Sequence, residues 1–171
     1  RPAEKPVGML RDHFRMHEDI ARLVNPYYGG RLAPTRKEQR WQRGFFHGFG
    51  GDALTHRLTR SRTVFIPSPR ERTTKVHREE ARRVVALLRR IRRLAGGAFD
   101  ERTVGVITPW RAQIAEINRQ LAGEPELLDQ VTIDTVERFQ GSERRIILLS
   151  LAVSSPTQLR ALESLNPREN V

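Results

Sequence analysis

The chain has 171 residues, of which 37% are hydrophobic and 30% are charged, and it contains no cysteine. This length is sufficient for one domain with a buried core, and the lack of cysteine excludes disulfides and cysteine-based zinc or iron–sulfur sites. The formal net charge of +11 favours a polyanionic partner, because neutralised phosphates release counterions, although an arginine-rich surface can also be merely solvated.

The first 12 residues contain two prolines, and we interpret them as a linker. They lack the apolar core of a signal peptide, and no apolar run in the chain approaches the roughly 20 residues that a membrane helix needs. They also lack an initiating methionine. We therefore expect a piece of a longer polypeptide, located by default in the cytoplasm and without a membrane partner.

A helix is predicted over residues 17–28, followed by an irregular insertion over about residues 33–62. The helix has one apolar face and ends at a pair of glycines. That face is formed by Ile20, Leu23, Val24 and Tyr27. In the insertion, aromatic residues either patch the domain surface, which we favour, or stack on single-stranded bases. These aromatic residues are Trp41, Phe45, Phe46 and Phe49.

From residue 63 onward, predicted strands alternate with predicted helices. Strands are expected at 63–66, 103–108, 131–133 and 146–153, the last buried on both faces because it is continuously apolar. Helices are expected at 78–95 and from Pro109 onward, whereas 123–129 and 134–144 are expected to be loops. The tail, residues 154–171, is left unassigned. This alternation predicts an α/β fold with a parallel sheet.

The predicted helix at 78–95 carries many arginines opposite its apolar stripe. Such a face either tracks phosphates or is simply solvated, and we favour the solvated face. The arginines in question are Arg82, Arg83, Arg89, Arg90, Arg92 and Arg93.

Three segments, in order along the chain, resemble motifs of the superfamily 1B helicases, a group that includes the nonsense-mediated-decay RNA helicase. Phe14-Arg15-Met16-His17 resembles the aromatic-Arg-Met-His of motif IV. The segment from Ile107 to Gln113 resembles the family's Thr-Pro-aromatic segment, and that from Thr135 to Glu143 resembles motif V. The resemblance implies an AAA-type, RecA-like, P-loop-NTPase-type three-layer fold. It identifies residues 1–171 as one domain, the second RecA-like domain of such a helicase.

The resemblance also implies a nucleotide-facing set of side chains. Arg15 is expected to reach the γ-phosphate, where a guanidinium stabilises the charge on the transferring group. Its alternative role is to cap the start of the helix that follows. Phe14 is expected near the base and Glu143 at the ribose, or else Glu143 pairs with a neighbouring arginine. Gln140 is expected at the interface between motor domains, and Gly141 is expected to permit a backbone turn.

Thr108, Arg111 and Thr135 are the residues to which the resemblance assigns contacts with single-stranded nucleic acid, with DNA favoured over RNA. Both threonines follow predicted strands, and hydroxyls at such positions can contact backbone phosphates. Ordinary capping of the helices that follow is the alternative, and both roles can coexist.

The residues that would hold ATP and Mg²⁺ are missing from the sequence. A phosphate loop of the form GxxxxGK[ST] is absent, as is an apolar strand ending in an Asp-Glu pair. ATP and Mg²⁺ are therefore expected to be held mainly by the first RecA-like domain of the same polypeptide, and the isolated chain is expected to be inactive. Asn170 and Val171 resemble the start of motif VI, at which the chain stops.

Metal binding is not expected from the histidines. His13 and His17 have the i, i+4 spacing of a zinc-binding helix, but the glutamate between them that such a motif requires is absent. The sequence thus predicts the second motor domain of an ATP-dependent helicase. The alternative is a basic nucleic-acid-binding module without ATPase activity.

The net charge leads to the first prediction. The isolated chain should bind single-stranded DNA weakly and without sequence preference, and its affinity should fall steeply as salt rises, because counterion release drives such binding. Titrations of a labelled oligonucleotide at several salt concentrations measure the slope. A flat salt response would mean that the arginines form only a solvated face.

Overall fold

The structure, a computed structural model, describes residues 11–40, 46, 51–71, 75–139, 141 and 143–165, with the backbone alone at 38 and 161–165. Its contacts group the chain into two compact units, residues 1–65 and 66–171. Each unit is described by itself. In the part of the chain that is described, no helix combines the length and the apolarity needed to cross a bilayer.

The first unit is built on two short parallel strands. Strand β1, Asp12–His13, pairs with β2, Ala33–Pro34, and the segment between them carries helix α1, Glu18–Val24, and a 3-10 turn, Asn25–Tyr28. The predicted helix at 17–28 is therefore an α-helix only as far as Val24, because Pro26 lies at the start of the tighter turn and cannot donate to an α-helical bond. Gly29 and Gly30 end it with φ angles of 60° and 74°, as predicted.

The buried face of α1 differs from the prediction. Ala21 is buried, whereas Leu23 and Tyr27 are 61% and 75% exposed. The apolar spacing correctly indicates one face of a helix, but in this unit that face has little to pack against. The buried position is instead Ala21, which follows Ile20 and lies about 100° from it around the helix.

The segment predicted as an irregular insertion is partly regular. It contains β2, a 3-10 turn at Lys37–Arg40 and helix α2, Ala53–Arg60, which Asp52 caps by accepting from the backbone N–H of Thr55. Phe46 is buried, whereas Trp41, Phe45 and Phe49 lie outside the described residues. The predicted strand at 63–66 is wrong: these residues are described and form no strand, and Phe65 is 84% exposed.

The second unit contains the predicted parallel sheet. Strands β3, Val104–Ile107, β4, Thr132–Asp134, and β5, Ile146–Leu149, lie in the order β4-β3-β5 and are all parallel. The chain crosses from β3 to β4 through helices α4, Arg111–Leu121, and α5, Pro125–Asp129. Because strands alternate with helices around a parallel sheet, the α/β prediction is confirmed.

Helix α3, Arg78–Ala95, matches its predicted bounds, ends at Gly96 and packs against α4. Its buried stripe is formed by Ala81, Val84, Val85, Leu88 and Ile91. Helix α4 begins two residues later than predicted, at Arg111, because Trp110 still has an extended backbone. Pro109 therefore precedes the helix and does not lie in its first turn.

Several short elements were missed by the sequence patterns. Helix α5 occupies part of the predicted loop 123–129, helix α6, Val136–Phe139, interrupts the polar loop 134–144, and helix α7, Pro156–Leu165, lies in the unassigned tail. The expectation that β5 is buried on both faces is wrong, since Ile147 and Leu149 are 41% and 66% exposed. This strand is an edge of the described sheet, and the face that carries Ile147 and Leu149 is exposed.

Gly105, in the central strand, sets how closely the motif V segment approaches the sheet. A Cβ atom at Gly105 would lie 2.3 Å from Cζ of Phe139 and 3.1 Å from Cγ of Arg144. The guanidinium of Arg144 lies over the Phe139 ring, 5.5 Å from its centroid, and donates to the hydroxyl of Thr132 over 2.7 Å. The ring and the arginine stem thus fill the space that a side chain on β3 would occupy.

Gly105→Ala should therefore destabilise the chain by about 1–3 kcal/mol, the usual cost of overpacking a filled core. Gly123→Ala is the matched control, because no atom lies within 4 Å of a Cβ at that position. Denaturant unfolding of both variants measures the difference. Equal unfolding free energies for the two variants would contradict the described packing of Phe139.

Candidate functional site

Residues 13–17 form a loop, called the motif loop below. It presents two exposed side chains, Phe14 and Arg15, between the half-buried His13 and the buried His17. Phe14 is 56% exposed, and the guanidinium carbon of Arg36 lies 5.5 Å from its ring centroid. Arg15 is exposed beside it. A flat ring and a planar cation are therefore presented together on one loop.

The side-chain amide of Gln39 holds this loop. Its Nε2 lies 2.9 Å from the carbonyl oxygens of both His13 and Met16, and its Oε1 accepts from the backbone N–H groups of Thr35 and Arg36 over 2.9 and 2.7 Å. Gln39 is only 5% exposed. Sequence reasoning missed this residue, because a glutamine in a polar stretch carries no signal of burial.

The start of α1 is capped by His17. Its Nδ1 accepts from the backbone N–H of Asp19 over 3.1 Å, and His17 is 8% exposed. The alternative role considered for Arg15, capping this helix, is thus performed by a different side chain. Arginine would be a poor cap, because the positive end of the helix dipole repels it.

In the second unit, Thr108, Arg111 and Thr135 meet at the carboxyl edge of β3 and β4. The backbone N–H of Thr108 donates to the Asp134 carbonyl over 3.1 Å, which joins the two strand ends. Thr108 is fully buried, and its hydroxyl accepts from the backbone N–H of Trp110 over 3.4 Å. This bond closes the turn before α4 but does not cap the helix, whose N-cap residue is Trp110 and which has no side-chain cap. The contact of Thr108 with a phosphate stays a prediction.

Thr135 and Arg111 both lower the pKa of the Glu137 carboxyl. The pKa of the Glu137 carboxyl is lowered, first by a hydrogen bond from its own backbone N–H, then by one from the Thr135 hydroxyl, and further by the charge of Arg111. The two groups expected to contact phosphate thus already stabilise a negative charge.

The segment after α6 carries the other motif V residues. Gly141 has a φ of +81°, a left-handed conformation that glycine adopts without strain, as expected of a turn. Glu143 is exposed, and its carbonyl oxygen accepts from Nη1 of Arg144 over 2.8 Å. Gln140 lies outside the described residues, as do Asn170 and Val171. The nucleotide roles of Gln140, Gly141 and Glu143 stay predictions.

Gln113, in α4, links the start of α3 to the residue that follows β5. Its fully buried amide accepts from the backbone N–H of His77 over 2.7 Å and donates to the His77 carbonyl and to the Ser150 hydroxyl over 3.2 and 3.1 Å. Ser150 in turn donates to Glu80 over 2.7 Å, and the same carboxylate oxygen accepts from the backbone N–H of Ala152. Its i, i+4, i+8 spacing with Ile117 and Leu121 places this polar side chain on the buried face of α4.

A cavity of about 1340 Å³ lies beside α4 in the second unit. Its lining includes Arg78, Glu116, Arg119 and the first residues of α7. Hydrogen bonds, first from Arg119 and then from Gln120, lower the pKa of Glu116 to about 2. The arginine and glutamate in this wall therefore satisfy each other, and the cavity has no strong excess of charge.

The arginines of α3 are also largely paired. Arg82 and Arg83 both contact Glu79. Arg89 contacts Glu124, just before α5, and Arg92 contacts Glu126, within α5. Because these arginines pair with glutamates, the structure favours a solvated surface on α3 over a surface that binds phosphates. Among the described residues, no three His, Asp or Glu side chains cluster in a way that could hold a metal ion.

Comparison with known proteins shows what the chain is similar to. The sequence profile of a family described as an AAA domain matches residues 2–171. A probable helicase with zinc finger domain from Homo sapiens is 27% identical over 154 residues, which cover 87% of this chain and 7% of that protein.

Two further relatives match shorter stretches. The DNA polymerase alpha-associated DNA helicase A of Saccharomyces cerevisiae is 40% identical over 55 residues, covering 32% of this chain and 8% of the relative. The putative helicase mov-10-B.2 of Danio rerio is 34% identical over 68 residues, 37% of this chain and 7% of the relative. The matched stretches thus span less than a tenth of each of these relatives.

The Gln113 network leads to a stability prediction. Gln113→Ala should lower the free energy of unfolding by roughly 3 kcal/mol or more, because it leaves buried polar groups of His77 unpaired at about 1–3 kcal/mol each. Gln120→Ala, on the same helix, is the control, since its amide donates to the half-buried Glu116 and an exposed carbonyl. Chemical denaturation compares them, and a loss no larger than the control's would refute the role of Gln113.

Proposed function

The chain belongs to the AAA domain family and is a superfamily 1B helicase-like domain, and we propose that it is the second motor domain of an ATP-dependent helicase. In this proposal it supplies a guanidinium to a nucleotide that another domain of the same polypeptide holds. It also contributes contacts to single-stranded nucleic acid, with DNA favoured over RNA, in a protein that acts in the cytoplasm.

The observation that carries this proposal is the motif loop. Arg15 is exposed next to an exposed aromatic ring, and both lie between residues whose carbonyls are fixed by a buried amide. A guanidinium on a fixed loop stabilises charge on a transferring phosphoryl group without reorganisation at the moment of reaction. The motif loop therefore suits a contact made in the transition state.

The described residues fit one side of a nucleotide. The exposed ring of Phe14 has the flat apolar surface on which a base can stack, and Glu143 is an exposed carboxylate of the kind that accepts from ribose hydroxyls. Neither a phosphate loop nor an acidic metal cluster occurs among them, so the magnesium ion and most phosphate contacts are assigned to the other domain.

The nucleic-acid contacts are proposed for the carboxyl edge of β3 and β4. Thr108 and Thr135 directly follow these strands, Arg111 begins the helix after β3, and hydroxyl and guanidinium groups at such positions can bind backbone phosphates. Contacts of this kind position a strand without reading its sequence. The rival proposal, a basic module without any motor partner, gains little from α3, where Arg82, Arg89 and Arg92 face glutamates.

Arg15→Ala in the full-length protein should lower ATP turnover by roughly 10³-fold or more, the usual effect of removing an arginine finger. The affinity for ATP should change much less, because the contact acts on charge that develops during transfer. Arg15→Lys should also be impaired, since lysine keeps the charge but loses the planar fork. Steady-state turnover and nucleotide titration measure the two effects.

Arg22→Ala is the control for this experiment. Arg22 is an exposed arginine of the same unit, but it pairs with Asp19 and Glu18 on its own helix. Its loss should leave turnover per folded molecule intact. Full turnover in Arg15→Lys, or a loss in Arg15→Ala that matches the loss of folded protein, would count against the finger role.

A further inference from the structure

Gln39 uses all the hydrogen-bonding capacity of its side chain. An amide has two N–H donors and one oxygen with two acceptor sites. Here the oxygen accepts from Thr35 and Arg36, and the nitrogen faces the carbonyls of His13 and Met16, with Nδ1 of His13 a further 2.9 Å contact. No rotation of the amide can keep these contacts, so its orientation is fixed.

These contacts join two segments that are far apart in sequence. The two carbonyls that Gln39 binds belong to His13 and Met16, the residues on either side of Phe14 and Arg15. They lie 26 and 23 positions before Gln39 in the sequence. The other end of the amide binds the backbone of Arg36, whose guanidinium lies over the Phe14 ring. One buried side chain therefore sets both the path of the motif loop and the position of the cation beside its aromatic ring.

We propose that Gln39 is a positioning residue for the ATPase reaction, acting through Arg15. This inference rests on the proposed function, because it gives the motif loop its catalytic purpose. Without Gln39, the Met16 carbonyl loses its buried donor, and the His13 carbonyl keeps only the longer bonds from the N–H and hydroxyl of Thr35, each 3.3 Å. The loop between them is then held less firmly. Arg15 then samples many positions, although its charge is unchanged.

The size of the effect follows from geometry. Displacing a catalytic group by about 1 Å can cost roughly 10²-fold in rate. We therefore expect Gln39→Ala in the full-length protein to lower turnover by roughly 10- to 100-fold, with a smaller change in the KM for ATP. Gln39→Glu has the same size and keeps an acceptor oxygen but opposes two carbonyls with a carboxylate, so it should show the same loss without creating a cavity.

Asn25→Ala is the matched control. Asn25 is also an amide of the first unit that binds backbone at both ends, since it accepts from the N–H of Leu32 and donates to its carbonyl. These bonds close the turn around Gly29 and Gly30 and do not hold the motif loop. Both alanine variants should lower the melting temperature, and only Gln39→Ala should lower turnover per folded molecule.

A double-mutant cycle separates this inference from the proposed function. If Gln39 acts through Arg15, then Gln39→Ala should have little further effect on turnover in the Arg15→Ala background. Equal effects of Gln39→Ala in both backgrounds, or turnover in Gln39→Ala and Gln39→Glu that matches Asn25→Ala, would overturn the positioning role. The Arg15→Ala single variant alone decides whether the motif loop is catalytic, so failure of the proposed function is recognised independently.

Discussion

Buried side-chain amides are the interaction on which both candidate sites depend. Loops at the ends of strands carry backbone N–H and C=O groups that have no partner in the sheet, and burying them unpaired is costly. In the first unit Gln39 binds four backbone groups, and in the second unit Gln113 binds two and also Ser150. An amide suits this task because it donates and accepts at once and carries no charge to desolvate.

The functional consequence is a division of labour between backbone and side chain. Gln39 fixes the main chain on both sides of Phe14 and Arg15, which leaves these two side chains exposed on a held loop. A domain that lacks a phosphate loop can still contribute to phosphoryl transfer in this way, since catalysis of that reaction is almost entirely positioning and electrostatic stabilisation. In the proposed function, the exposed guanidinium on this held loop is the group that contributes to that reaction.

The sequence predicts the elements that have strong local signals. Helix α3 matches its predicted bounds, and the three parallel strands of the second unit were located by their β-branched and apolar runs. The short helices α5 and α6 were missed because five and four residues are too few to show a periodicity. The predicted burial of β5 on both faces was wrong because an apolar run does not reveal whether both faces of the strand are covered.

Among the site residues, the motif resemblance named the exposed side chains but neither Gln39 nor Gly105. The importance of these two residues arises only from contacts between segments that are distant in sequence.

The central claim is that Arg15 contacts charge that develops at a nucleotide held by another domain. Binding of a transition-state analogue measures this contact without turnover. For the full-length protein, titrations with ADP alone and with ADP plus aluminium fluoride give two affinities for the wild type and for Arg15→Ala. We predict that the substitution leaves ADP affinity nearly unchanged but weakens binding of the aluminium fluoride complex by orders of magnitude, because the guanidinium interacts with the transferring group and not with the diphosphate. An equal change, or no change, in both affinities would contradict the claim.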